Sequence, residues 1–473
     1  MKKLIAIAVV FALVAGAAFA QTANGIQVQA WGRGAFSPLT ATGPNKAGGE
    51  AGKVPTPDGK GADDKGEVYA GVTPTWGSHQ GWSSGLARVD IRINGNSDYV
   101  GFGFNGTFEN YDFNDNAALI WAKPLGSDIL KLTVGQFVDD TLRGKIGNLD
   151  GGFSNFVLPY VDEEDAIFQS FAVGAGRGNS VYKANGKDNG TDTDGAGFMI
   201  SSVPMDGLFI GLLLKGKLAD LQSGAGSTLA IDAWRYMHLG VGYNIANIGH
   251  ARVQYIGGWS GSIDAENLTD DQYSHWADDS ANGISNGSPK HKQASIGLAF
   301  ALTAVENLLV DLGTRIYMPL EVKNGPTTAV YSQGVNLSLG ATYNFGALGI
   351  NALGLGARLD ISGIGAYDRG DKDDKTESGA QTVIRLVPTY ALEGFTVGLD
   401  FALAFGGDSK TAKGDNEEKD WSQVGFGVFV SKGLGNGNIR AGISYTGNRT
   451  DHDGKANGRD VFQIPIILEY AFF

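Results

Sequence analysis

The chain has 473 residues, no cysteine and a formal net charge of -13 at pH 7. The missing cysteines exclude a disulfide scaffold and a thiolate metal site, and the acidity argues against nucleic acid as a partner. Glycine is abundant, at 72 residues, against a usual share of roughly 7%, but it follows no three-residue period, which excludes collagen and favours short strands joined by many turns.

The first twenty residues have the features of a cleavable secretory signal peptide. A positively charged start is followed by an apolar run over residues 4–14 and by the small residues Ala18 and Ala20, where a signal peptidase would cut. We therefore expect residues 1–20 to be removed, leaving residues 21–473 as the mature protein. Loss of the two lysines in this segment changes the formal charge from -13 to -15.

The rest of the chain alternates apolar and polar residues in short segments. After the signal peptide, no apolar run approaches the roughly 20 residues that a membrane helix requires. Alternation over about ten residues is typical of membrane strands, since neighbouring residues of a strand point to opposite faces. Eighteen such segments begin near Ile26, Leu86, Val100, Ala117, Ile129, Ala196, Gly207, Trp234, Ala251, Ala294, Leu308, Val335, Leu353, Thr382, Phe395, Val424, Ile439 and Val461.

The connections between these segments alternate between short and mostly long. The short ones lie near 94–98, 124–128, 204–207, 245–249, 303–307, 345–351, 391–394 and 432–438. The long polar ones are 37–85, 138–195, 260–292, 363–380, 406–420 and 447–459. Outer-membrane barrels have tight periplasmic turns and longer external loops. We therefore predict an all-β fold, a transmembrane antiparallel up-and-down β-barrel of about 18 strands, with 16 as the alternative.

Aromatic residues recur at the ends of the predicted strands, where rings with a polar tip favour the lipid–water boundary. These residues are Trp31, Tyr99, Trp121, Tyr243, Trp259, Tyr331, Phe345, Trp421, Tyr445 and Tyr470. The last segment, 461–473, alternates regularly up to Phe472 and ends at Phe473. It resembles the C-terminal strand signal of bacterial outer-membrane proteins, which implies the barrel-assembly machinery as a partner. Phe473 lies one residue beyond the regular alternation.

At the level of architecture, the whole mature chain resembles a bacterial outer-membrane porin, although it carries no specific porin motif. Porins of this family have a long third external loop that narrows the barrel, and here the third outer connection, 138–195, is the longest. The resemblance implies a constriction formed by Asp139, Asp140, Asp162, Glu163, Glu164 and Asp165. A solvated acidic loop is the alternative, because blocks of like charge usually face water.

The phase of each predicted strand also indicates which charges face the interior. On the side opposite the apolar residues, basic residues outnumber acidic ones by eleven to six. The predicted pore-lining residues are Arg33, Arg88, Arg92, Lys131, Lys215, Lys217, Arg252, Arg315, Arg358, Arg385 and Arg440, together with Asp90, Glu109, Asp311, Asp360, Asp400 and Glu469. We therefore expect a basic wall, with the acidity of the chain in its loops.

Two sequence motifs suggest catalysis or dinucleotide binding, but both lack the required context. The G-x-S-x-G stretch 81–85 precedes a predicted strand instead of joining a strand to a helix. The G-x-G-x-x-G stretch 101–106 lies inside a predicted strand. The six histidines form no metal-spaced set. We expect no enzyme activity, no cofactor and no metal site.

The sequence favours a porin of the bacterial outer membrane that lets ions and small hydrophilic solutes diffuse passively through a water-filled pore. The expected partners are outer-membrane lipid, the assembly machinery and small solutes, but not nucleic acid. A substrate-selective channel, for example for oligosaccharides, is one alternative, although few aromatic residues share the inner phase: Trp31, Tyr236, Tyr317 and Phe429. A surface adhesin or antigen on a barrel scaffold is another. A homotrimer and a monomer both stay open.

Overall fold

The computed structural model describes residues 25–42, 71–77, 88–109, 112–136, 196–216, 237–264, 293–324, 327–350, 352–368, 376–377, 379–406, 409–410, 416–418, 421–447, 449–451, 456–457 and 461–472. The predicted signal peptide, the predicted third loop and Phe473 lie outside these ranges. Regular structure in the described ranges is almost entirely β-strand, with one short 3-10 helix at Phe345–Leu348. No helix in the same ranges is long and apolar enough to span a membrane.

The described strands are numbered along the chain. The first part of the chain contains β1 (Gly25–Thr42), β2 (Gly71–Gly77), β3 (Arg88–Asn96), β4 (Val100–Glu109), β5 (Asp112–Ala122), β6 (Lys131–Gln136), β7 (Ala196–Met205), β8 (Leu208–Gly216), β9 (His238–Ile245), β10 (Gly249–Ile256), β11 (Gly261–Asp264), β12 (Ser295–Leu302), β13 (Leu308–Tyr317), β14 (Leu320–Asn324) and β15 (Thr327–Tyr331). The second part contains β16 (Val335–Asn344), β17 (Leu353–Ile364), β18 (Tyr367–Asp368), β19 (Thr376–Glu377), β20 (Gln381–Leu392), β21 (Phe395–Gly406), β22 (Ser409–Lys410), β23 (Asn416–Glu418), β24 (Trp421–Leu434), β25 (Gly437–Thr446), β26 (Arg449–Asp451), β27 (Ala456–Asn457), β28 (Val461–Gln463) and β29 (Ile466–Phe472).

Most of these strands pair in a single antiparallel circuit that closes on itself. We call each strand that crosses the barrel wall a stave, and β28 and β29 together form one stave. The described residues form eighteen staves in the order β1–β3–β4–β5–β6–β7–β8–β9–β10–β12–β13–β16–β17–β20–β21–β24–β25–β28/β29. The circuit closes because β1 also pairs with β29, which places Arg33 opposite Arg88 on one side and Glu469 on the other. The prediction of a closed antiparallel β-barrel is confirmed.

The two faces of the wall differ in chemistry. Along β9, Leu239, Val241 and Tyr243 are exposed, whereas His238 and its neighbouring glycines on the same side are buried. The same alternation runs along β21 and β24, where exposed apolar side chains alternate with buried side chains that are mostly small or polar. Side chains on one face of a strand recur every second residue, and the inner surface of a closed barrel is enclosed by its own wall. The exposed apolar side chains therefore lie on the outer surface and the buried set points inward.

The tight turns lie at one end of the barrel and use residues that tolerate a left-handed backbone. The turn between β20 and β21 contains Gly394 with φ +83°, and the turn between β24 and β25 contains Gly435 with φ +60°. Asn247 takes φ 60° between β9 and β10. Two- to three-residue hairpin turns require positive φ, which glycine and asparagine adopt most readily. These turns lie where the sequence predicts short connections.

The long connections at the opposite end contain short strands that the sequence does not reveal. In the predicted loop 37–85, β2 pairs with the extended end of β1. Elsewhere β14 pairs with β11 on one side and β15 on the other, and β18, β19, β22 and β23 form a four-stranded sheet. These strands are only two to seven residues long, which is too short for a clear alternating pattern. Pairing satisfies their backbone groups beyond the main wall.

The seam between the first and last staves contains a local irregularity. Ser37 is fully buried; its hydroxyl donates a hydrogen bond to the Leu39 carbonyl (2.6 Å) and accepts one from the Ile464 amide (3.2 Å). Pro38 and Pro465 lie beside this contact and lack an amide hydrogen. The serine hydroxyl therefore links the two terminal staves where regular ladder bonds are interrupted.

Candidate pore wall

The structure places the predicted pore-lining residues in three groups. Among the described side chains, those buried on the inward face are Arg252, Arg315, Arg358, Asp360, Arg385 and Asp400. Arg92 is exposed, and Lys131 and Arg440 are half-buried. A third group has its backbone in a barrel strand, and the structure describes only the backbone of these residues: Arg33, Arg88, Asp90, Glu109, Lys215, Asp311 and Glu469. Lys217 and the six predicted constriction residues lie outside the described ranges.

Arg358 and Asp360 form an ion pair along one strand of the inward face. They are two residues apart on β17 and therefore point to the same side. The Arg358 Nε lies 3.0 Å from the Asp360 Oδ2, and its Nη2 donates to the hydroxyl of Ser338 on β16 at 2.6 Å. Both charged side chains are almost completely buried. Burial of two charges costs desolvation free energy, which pairing and hydrogen bonding offset.

A second buried pair lies on the adjacent staves. The Arg385 Nε on β20 donates to the Asp400 Oδ1 on β21 at 2.8 Å, and the Arg385 Nη2 contacts the other carboxylate oxygen. This two-bond geometry is the strong form of an arginine–carboxylate contact. Arg358 lies directly opposite Arg385 in the ladder. The two arginines and two aspartates thus form a buried quartet whose charges cancel.

Arg315 is held by different neighbours. Its Nε donates to the hydroxyl of Ser295 at 2.9 Å, and its guanidinium lies 4.8 Å from the centre of the Tyr317 ring. A guanidinium over an aromatic face is stabilised by the electron-rich ring. This arginine is therefore fixed in direction on the inward face of β13.

Glycine lies across the ladder from several inward arginines. Arg252 is opposite Gly242, and Arg358 is opposite Gly340. Arg315 is likewise opposite Gly297. A residue without a side chain leaves space in which a long neighbouring side chain can lie along the wall. The abundance of glycine, which sequence reasoning assigned mainly to turns, therefore also serves the interior of the barrel.

Sequence reasoning missed several uncharged polar residues on the inward face. Those buried there include Gln254, Gln423, Ser444, Thr446 and Gln463. Gln423 donates through Nε2 to the Gly447 carbonyl at 3.1 Å. Each of these residues lies on the strand face opposite exposed apolar residues, so the alternation of the strands could have identified them. The predicted pore-lining residues, however, include charged residues only.

Aromatic residues divide between the two faces. Tyr99, Tyr243 and Tyr445 are exposed, in agreement with a position at the membrane boundary. The same prediction is wrong for Trp121 and Trp259, which are 9% and 3% exposed. Trp121 lies directly opposite buried Thr133, so the two side chains share one face of the wall. The preceding residue of β5, Ile120, lies on the other face and is 70% exposed. Trp121 therefore points inward.

Two further aromatic residues with the inner phase are packed instead of projecting. Tyr317 is buried beneath Arg315, and Phe429 is 3% exposed. The Phe429 ring occupies the space where a side chain at Gly398 would lie, with a ring atom 2.2 Å from that Cβ position. The ring therefore lies flat over the neighbouring stave.

Two lysines lie beside the Trp121 ring, at the end of the barrel that carries the tight turns. The Lys131 and Lys123 ammonium groups lie 4.8 Å and 5.1 Å from the centre of its ring. Lys123 also forms a salt bridge of 2.9 Å with Asp128. The ring lies against Gly101, where a Cβ would meet a ring atom at 2.2 Å.

In the ranges that the structure describes, no group of three or more histidine, aspartate or glutamate side chains is arranged to hold a metal ion. The G-x-G-x-x-G stretch 101–106 lies within β4, inside the barrel wall. Its glycines accommodate aromatic rings: Trp121 covers Gly101 and Phe113 covers Gly106. Packing thus accounts for two of the glycines in this motif.

The sequence matches no protein-family model and no curated protein. Among solved structures, in-vitro folded OmpT, an outer membrane protein of Vibrio cholerae, is 12% identical with a TM-score of 0.41, covering 96% of this chain and 99% of that chain. The anion-selective porin from Comamonas acidovorans is 13% identical with a TM-score of 0.39, covering 94% and 100%. The outer membrane channel DcaP of Acinetobacter baumannii is 11% identical with a TM-score of 0.39, covering 96% and 99%.

Proposed function

We propose that this chain is a bacterial outer-membrane porin, a water-filled pore through which ions and small hydrophilic solutes diffuse passively. The observation that carries the proposal is the division of the wall into an exposed apolar outer face and a charged inner face. Exposed leucine, valine, isoleucine and phenylalanine recur on the outer face of the described staves. In water this surface would be unfavourable, whereas in a bilayer it contacts hydrocarbon.

The closed circuit supports a membrane location for a second reason. Within the hydrocarbon region no water is present to pair with backbone amides and carbonyls. A closed antiparallel barrel satisfies these groups between its own strands, and β1 pairs on both of its edges. In the same proposal, the barrel-assembly machinery recognises the last stave, whose alternating sequence ends at Phe472.

The inner face supports passage of hydrophilic solutes. Arginine, aspartate, serine and glutamine side chains occupy its described part. We further propose that the acidic residues of the third loop, including Asp162–Asp165, face wall arginines across a narrow waist. Clusters of opposite charge at close range select solutes by charge and size. Neutralising Asp162–Asp165 is expected to change the ion selectivity measured in planar bilayers, and unchanged selectivity would contradict this constriction.

Osmotic swelling of vesicles that contain the refolded mature chain tests passive diffusion. We expect uptake of small uncharged sugars at rates that fall steadily with solute size and rise in proportion to concentration. Saturation at low concentration for one class of sugar would instead support the substrate-selective channel. Vesicles that contain folded barrel but take up no solute would overturn the pore and leave the surface-adhesin alternative.

A further inference from the structure

The inward face of β5–β8 carries an apolar cluster beside the polar residues Lys131, Thr133 and Ser201. Met199 on β7 and Leu213 on β8 are 5% and 1% exposed and form a cluster with Leu119 and Phe209. The ladder brings this cluster next to Trp121, since Thr133 lies opposite Trp121 on one side and opposite Met199 on the other. An apolar surface therefore continues from the tryptophan into the barrel.

Lys131 lies at the edge of this surface. Its ammonium group contacts the Trp121 ring and forms no salt bridge with a carboxylate in the part of the chain that the structure describes. The nearby Asp128 is paired with Lys123 at 2.9 Å. The Lys131 charge is thus half-buried beside apolar side chains, with an aromatic ring as its described contact.

Two hydroxyl groups lie beside the lysine on the same face. Ser201 is directly opposite Lys131 and is buried. Thr133, two residues along β6, is 2% exposed, and its hydroxyl has no hydrogen-bond partner in the described ranges. A buried hydroxyl without a partner is unfavourable. A ligand that bonds this group would remove that cost.

We propose that Lys131, Thr133 and Ser201 bind the carboxylate of an organic anion whose apolar body lies against Met199 and Leu119. The proposal deepens the pore function and rests on it. Charge complementarity selects the carboxylate for the lysine, and the hydroxyls supply hydrogen-bond donors to its oxygens. Burial of the apolar body against these side chains makes the free energy of binding more favourable, roughly in proportion to the apolar area removed from water. The site favours amphipathic carboxylates over small hydrophilic ones.

Trp121 acts as a positioning residue in this site. Its ring is fixed against Gly101 and lies within cation–π range of both lysines. This arrangement fixes the direction of the Lys131 ammonium beside the apolar cluster. The site lies near the end with the tight turns, since β5 and β6 are joined there.

Block of conductance by benzoate tests the site in the refolded mature chain, with acetate as the probe that lacks an apolar body. In planar bilayers with potassium chloride, benzoate is expected to reduce the current in a saturable way, at lower concentrations than acetate. Lys131→Gln should raise the apparent Kd for benzoate about fivefold, the scale of a partly exposed ion pair. Lys432→Gln, at an exposed lysine of the same barrel end, is the matched control and should not change it.

Tryptophan fluorescence gives a second readout that needs no conduction. Benzoate should change the emission of the folded protein, with the same dependence on Lys131, and Trp121→Phe should remove that change and also raise the apparent Kd for the block of conductance, because the ring positions Lys131. Heat-modifiable migration on gels verifies that each variant is folded. Equal effects of benzoate and acetate, or a benzoate Kd unaltered in Lys131→Gln, would overturn the site. A folded barrel without conductance whose fluorescence still responds to benzoate through Lys131 would overturn the pore and leave the site standing.

Discussion

At the scale of single residues, buried charge pairing determines how the inner wall is built. Arg385 and Asp400 are 5% and 0% exposed and bond through two contacts. Removing one member of a buried pair leaves a charge without compensation, which costs more than the pair itself contributes. The wall therefore depends on the partners as units.

Asp400→Asn tests this dependence. Because Arg385 would stay buried with its charge uncompensated, we expect a loss of about 3 kcal/mol in the free energy of unfolding. The measurement is urea unfolding of the protein in lipid vesicles. Glu393→Gln, which makes the same chemical change at an exposed turn, should leave stability unchanged. Equal stability of the two variants would show that the buried pair is unimportant.

Gly101 gives a second residue-level prediction. An added Cβ would lie 2.2 Å from the Trp121 ring and 2.3 Å from the Gly95 carbonyl oxygen, so Gly101→Ala forces a shift of the ring or the backbone. We expect a destabilisation of about 1–3 kcal/mol, typical of overpacking, measured by the same unfolding method. At Gly433 nothing lies within 4 Å, so Gly433→Ala is the control. A neutral Gly101→Ala would contradict the packed position of Trp121.

At the scale of strands, a substitution at a residue adjacent to a buried wall residue tests whether the outer face contacts lipid. Leu399, adjacent to Asp400, is 41% exposed near the middle of β21. Leu399→Arg should cost about 2–4 kcal/mol in a bilayer if this position faces the hydrocarbon midplane. Leu348→Arg places the same side chain at the turn end, where Leu348 is 66% exposed, and should cost about 0–1 kcal/mol. Equal costs at both positions would contradict a lipid-facing outer surface.

Strand patterns made much of this architecture predictable. Alternation in β9, β21 and β24 follows from the two-residue period of a strand with one face in lipid. In β5, two small residues, Ala117 and Ala118, obscure the phase, and the ladder between β4 and β5 shifts between Asn105 and Gly106. The inward direction of Trp121 therefore could not be predicted from spacing.

The pairing of inner charges was less accessible to sequence reasoning. Arg358 and Asp360 share a face by spacing alone, but Arg385 and Asp400 meet only because of the register between β20 and β21. The count of inward charges gives eleven basic and six acidic residues. The buried quartet takes two of each sign, which leaves the excess of basic residues unchanged but pairs four charges that the count treats as separate. Register depends on turn geometry and bulges, which alternation does not specify.

At the scale of the whole molecule, the closed circuit and its two chemically distinct faces account for a barrel that resides in a membrane and carries a polar interior. The short strands beyond the main wall extend the structure at the end opposite the tight turns. These features agree with the proposed pore, and the polar interior also stabilises the wall through its buried ion pairs.

Single-channel recording of the refolded mature chain in planar bilayers tests the pore most directly. We expect discrete conductance steps that scale with salt concentration and appear with heat-modifiable, folded protein. A matched preparation denatured by boiling should produce no steps. Folded, membrane-inserted protein that never conducts at any salt concentration would contradict the assignment of this barrel as a pore.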